Sequence, residues 1–78
     1  MNTVEQFDEL ITRASDAGYR IRYDYFGGTG GGVCQFGGAR WLFVDLALSV
    51  TERLEQLQAA LKADSFFPVD VPVQNNAA

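Results

Sequence analysis

Three groups of residues in this sequence have types that could do chemistry. They are the glycine run Gly27-Gly28-Thr29-Gly30-Gly31-Gly32, the single cysteine Cys34, and the acid pair Asp24 and Asp45. Glycine runs cradle phosphate when their amides converge on a helix N-terminus. A Walker loop, G-x-x-x-x-G-K-[ST], would need lysine where Val33 or Gly38 stands. The dinucleotide pattern G-x-G-x-x-G begins at Gly28 and Gly30 but meets Val33 at its third glycine. Cys34 has no partner base, because the chain contains no histidine. It reads as a small buried hydrophobe, or as a redox-sensitive thiol if Arg22 or Arg40 lies beside it. Asp24 and Asp45 could share a divalent ion or act as a glycosidase pair if their strands are neighbours. Otherwise each marks a strand end entering solvent.

The elements that would hold these groups follow from hydrophobic period. Val4, Phe7, Ile11 and Ala14 repeat at helical spacing behind a Thr3/Gln6 capping box, with Gly18 as the left-handed stop and Tyr19 as its apolar contact, so helix 1 is expected over about 4–17. The period then falls to two. Tyr19, Ile21, Tyr23 and Tyr25 alternate with Arg20, Arg22, Asp24 and Phe26. Residues 33–36 form a second strand, Gly37-Gly38 a primed hairpin turn, and residues 40–46 a third strand. That third strand is apolar on both faces, which suits a central position or a face met by another molecule. Ser49 and Glu52 cap a second helix over about 50–63, with Val50, Leu54, Leu57 and Leu61 on one face. Pro68 and Pro72 imply an extended tail, frayed over 74–78. Phe66 and Phe67 are expected to plug the edge of the core.

The fold class is therefore α+β: one αβββα domain over residues 1–74, an antiparallel three-stranded sheet flanked by two helices, and a flexible 75–78. A two-residue hairpin sets Cys34 opposite Trp41 and Phe36 opposite Ala39. One sheet face then carries Cys34, Phe36, Trp41 and Phe43, the other Val33, Leu42, Val44 and Leu46. Two helices on one side leave an apolar patch margined by Arg20 and Arg22, a composition favoured at interfaces. Helices straddling the sheet would leave none.

The run Gly31-Gly32-Val33-Cys34, then Phe43-Val44-Asp45, then Leu48-Ser49 opening a Glu/Leu-rich helix, resembles a set of small bacterial proteins over roughly residues 5–62. The resemblance implies a fold and brings no activity. More faintly, the layout is similar to the front half of small zinc metallopeptidases that accompany phage-type repressors. Their second helix bears H-E-x-x-H, whereas helix 2 here reads Thr51-Glu52-Arg53-Leu54-Glu55 with neither histidine, so zinc proteolysis is not implied.

Composition narrows the function classes. Seventy-eight residues with six basic and ten acidic side chains carry a net charge of −4, with pI near 4.4. An acidic surface disfavours nucleic acid. The acidic start of the chain and the lack of a long apolar run lead us to expect a cytoplasmic protein with no membrane partner. A core this small rarely supplies more than ~3–5 kcal/mol without a staple, and self-association is the staple left open. The expectation is a non-enzymatic interaction module without cofactor or metal. It would be a homodimer, or bind another protein, through Trp41, Phe43, Phe36, Arg20 and Arg22, or through Phe66 and Phe67 in an exchanged tail. The alternative is a small-ligand or redox-sensing domain using Gly28, Gly30, Gly31, Gly32 and Cys34.

Overall fold

The computed structural model describes residues 2–28 and 31–67. The element order is α1 (Thr3–Asp16), β1 (Arg20–Asp24), β2 (Gly32–Phe36), β3 (Ala39–Asp45) and α2 (Val50–Ala63). The tail at 68–78 and Gly30 of the expected ligand loop lie outside the described residues.

Local chemistry starts and stops each element. The N-cap of α1 is Asn2, one residue before the expected Thr3: its side chain accepts from the Glu5 amide, and Glu5 accepts in return from the Asn2 amide. Asn and Glu thus perform the reciprocal bonding expected of Thr3 and Gln6. At the other end Gly18 takes φ +106°. Its N–H reaches the Ser15 carbonyl and the Tyr19 N–H reaches that of Ala14, each at 3.0 Å, which is a Schellman ending. The Ser49/Glu52 box caps α2 as the pattern requires. Gly37 and Gly38 both have positive φ, +62° and +79°, the backbone of a primed hairpin turn.

The sheet order is β1-β3-β2, so β3 is central. It runs antiparallel to β2 but parallel to β1, which corrects the all-antiparallel expectation. The cause is the connection out of β1. It does not fold back beside β1 but passes over the C-terminal end of β3 to the far edge. β2 then descends, and the hairpin returns β3 into the gap beside β1.

Both helices lie on one face. Phe7, Ala14, Leu54, Leu57 and Leu61 from the helices meet Leu42 and Val44 of β3, with Tyr19 and Phe67 closing the end. Ile21 and Val33, on the flanking strands, pack against the same cluster. This arrangement leaves the opposite face of the sheet without a layer of its own among the described residues.

Candidate functional site

Strand alternation decides what the uncovered face carries. β1 contributes Arg20, Arg22 and Asp24, β3 contributes Trp41 and Phe43, and β2 contributes Cys34 and Phe36. The register places Arg20 and Cys34 on either side of Trp41, and Arg22 and Gly32 on either side of Phe43. Trp41 and Phe43, two residues apart on the central strand, stack nearly parallel with centroids 6.2 Å apart and planes 6° from coplanar. Phe26 meets Phe43 edge-on at 5.7 Å. The Arg20 guanidinium lies 5.8 Å from the Trp41 ring centroid, a cation–π geometry. Arg22 pairs with Asp24 at 3.4 Å. Phe36, beside the hairpin, is 74% exposed. Arg22, Cys34, Phe36, Trp41 and Phe43 line a shallow groove of about 330 Å³.

Cys34 is exposed on this face, contrary to the buried reading of its type. Phe36 and Ala39 form the pair next to the turn, and the turn is short enough to keep every residue of β2 in register with β3.

Phe66 and Phe67 do not belong to the open face. Phe67 is 7% exposed and part of the core. Phe66 is half-exposed beneath the Arg40 guanidinium, 4.4 Å from its ring centroid, and edge-on to Tyr19. Both are held by a polar cluster around Asp64. That carboxylate accepts from the Tyr19 hydroxyl, from Arg40 Nη1 at 3.1 and 3.2 Å, and from the Phe66 amide at 3.2 Å. Burial alone would raise the Asp64 carboxyl. The Tyr19 hydroxyl, the Phe66 amide and Arg40 outweigh it and hold the group below its ordinary value. Burial, with Asp64 alongside, raises the Tyr19 hydroxyl. A depressed carboxyl contributes stability that is complete above its unfolded value of about 3.9 and is lost as pH falls through the folded value. Urea midpoints of the native chain should therefore drop between pH 5 and 3 more steeply than those of Asp64→Asn. Parallel acid limbs for the two proteins would show that the cluster contributes nothing.

The acid pair is brought together but not left free. Asp24 and Asp45 are register partners on adjacent strands. Asp45 is only 1% exposed, so it does not mark an exit into solvent. Its oxygens accept from the amides of Phe26 (2.9 Å), Gly28 (2.8 Å) and Ala47 (2.9 Å). Asp24 accepts from the Tyr25 amide and from Arg22. No cluster of three or more potential metal ligands exists among the described residues.

The same contacts answer the question of the glycine run. Asp45 occupies the amides of Phe26 and Gly28, and Gln56 Oε1 accepts from Gly31 at 3.0 Å. Among the described residues of the loop, the amides of Gly28 and Gly31 are thus turned to side chains of the chain itself. Asp45 and Gln56 were not singled out as loop partners from the sequence. The available signal was an apolar strand ending in an acid at the level where a glycine connection must cross it. Phe26 was legible, since it shares the parity of Arg20, Arg22 and Asp24.

No protein-family model matches the chain, and no curated protein or solved structure matches it either. The resemblances drawn from sequence pattern therefore add nothing to the geometry of the site.

Proposed function

We propose that this chain is a non-enzymatic interaction module that self-associates, a second copy of the chain covering its open sheet face. The observation that carries the reading is the stacked Trp41–Phe43 pair, with the exposed Phe36 beside it, on a sheet face that neither helix covers. Aromatic and arginine side chains around a shallow apolar groove are the composition in which binding energy concentrates. The non-enzymatic part rests on the lack of histidine in the chain and on the use of Asp45 by backbone amides.

Size sets the expected strength. The molecule exposes 4783 Å². A patch of a tenth of that surface, about 480 Å² per copy, gives a small interface by the standards of stable complexes and an affinity on the order of micromolar.

Light scattering from about one to a few hundred micromolar (a range chosen to bracket that affinity) tests the reading. The mass should climb from 8.6 kDa toward twice that value. Trp41→Asp and Phe36→Asp should each hold it at the monomer value with helical circular dichroism unchanged. A native chain that stays monomeric throughout, or folded variants that still dimerise, would sink the reading.

A further inference from the structure

The described chain stops close to the open face, on the other side of the sheet. Phe67, its last residue, has its ring 6.0 Å from that of Tyr19, the residue before β1. Phe66 lies beneath Arg40, the second residue of β3. Tyr19 and Arg40 are the sequence neighbours of Arg20 and Trp41, which the register sets side by side. The chain therefore leaves the described part at the end of the sheet where Trp41 stands on the far side. Eleven residues, 68–78, follow. A sheet layer is about 10 Å thick and an extended residue spans about 3.3 Å. About four residues thus carry the chain round the end of the sheet, and about seven remain.

The composition of those residues matches the face. Pro68-Val69-Asp70-Val71-Pro72-Val73 is apolar except for Asp70, which is the only charged side chain in 68–78. On the open face Arg22 already pairs with Asp24. Arg20 has no carboxylate partner among the described residues, and it stands on the first rung of β1, nearest the end the chain must round. Proline restricts the backbone to extended forms, so such a segment loses less entropy when it is laid on a surface. Aromatic-lined grooves take proline-bearing extended chain for this reason.

We infer that the C-terminal segment folds over the open face of its own chain. It lays residues 71–73 in the groove of Cys34, Phe36, Trp41 and Phe43, and sets Asp70 against Arg20. With three residues per turn of a polyproline helix, Pro68 and Val71 share one edge, Val69 and Pro72 a second, and Asp70 stands on the third. Two apolar edges meet the aromatic rings while the acid turns aside to the arginine at the margin. Resting on the self-association proposed above, the segment competes with a second copy for this face. The apparent dissociation constant of the dimer is then the intrinsic one divided by the uncovered fraction.

Trp41 is the sole tryptophan, so its fluorescence reports on this face in the full chain without a label. The variant Val71→Ser/Pro72→Ser/Val73→Ser changes no residue of the described domain and no charge, and unchanged helical circular dichroism checks its fold. At about 0.2 µM, below the micromolar range expected of the dimer, the acrylamide quenching constant of Trp41 should at least double in the variant. Asp70→Lys, which sets a cation against Arg20, should raise quenching as well. Light scattering should then show the serine variant dimerising roughly fivefold or more tightly than the native chain. Equal quenching of the native and serine chains overturns the cover and leaves self-association untouched. Shielding of native Trp41 that appears only as concentration rises gives the face to a second copy alone, and likewise overturns the cover. Shielding at low concentration that the serine variant loses, with no dimer of either chain at any concentration, upholds the cover and overturns self-association.

Discussion

Replacing Asp45 by Ala leaves the domain unfolded, or largely so, at 25 °C. The Asp45 carboxylate is 1% exposed and, among the described residues, accepts from the backbone amides of Phe26, Gly28 and Ala47. Two precede β2 and one follows β3, so one side chain fixes both connections at the C-terminal end of the sheet. Hydrogen bonds to a charged acceptor contribute about 1.5–3 kcal/mol each, and orphaned buried donors carry a further penalty. Even the lower figure for each bond sums to a loss comparable to the ~3–5 kcal/mol a core of this size supplies. Asp45→Asn should be intermediate, since one oxygen still accepts while the new NH₂ group confronts an amide donor. The amides form a small concave nest of the kind that binds anions. Formate should therefore restore helical circular dichroism to Asp45→Ala or Asp45→Gly in the absence of denaturant, and more than chloride does at equal ionic strength. A loss below ~1 kcal/mol for Asp45→Ala would mean that the loop does not depend on this latch.

Gly31→Ala is the second large effect, and its cause is contact rather than backbone angle. A Cβ on Gly31 would lie 1.7 Å from the Phe43 carbonyl oxygen and 2.5 Å from its carbon. Both atoms belong to the backbone of the central strand, so no rotamer change relieves the overlap. The chain must move away, and the Gly31 amide then leaves Gln56. We expect a loss above ~3 kcal/mol, in the range of severe overpacking. Gly27→Ala is the matched control: φ is +74° but nothing lies within 4 Å, so only the left-handed penalty of about 1–2 kcal/mol applies. Chemical denaturation of the pair separates the two causes. Equal losses would show that crowding against Phe43 is not what selects glycine at position 31.

Where period and local chemistry decide structure, the sequence was readable. The α2 cap at Ser49, the Schellman ending at Gly18 and the Gly37-Gly38 turn all depend on residues within a few positions of one another. So did the pairing of Cys34 with Trp41, because a two-residue turn leaves no freedom in register. Strand direction was misjudged although its premises were present. A strand apolar on both faces is central. If β3 is central and joined to β2 by a tight hairpin, β1 on its other side must run parallel to it whenever β1 and β2 run oppositely. The Asp45 latch and the Asp64 cluster were not readable, because each depends on partners 17 or more residues away as well as on near neighbours. Cys34 was misread because residue type predicts burial only on average, while its face was set by which side the helices chose.

The position of β3 also imposes an order of assembly. Its pairing with β2 closes a two-residue turn, whereas its pairing with β1 joins residues about twenty apart, Arg20 with Trp41. Loop closure grows costlier with length, so the hairpin and the helix that follows it are the cheaper nucleus. During synthesis β1 leaves the ribosome with its ladder partner still unmade, and it joins the sheet as a late arrival. Substitutions such as Ile21→Val should speed unfolding and hardly change the folding rate, while Val33→Ala should slow folding. The opposite ranking would place the start of folding in the N-terminal third of the chain.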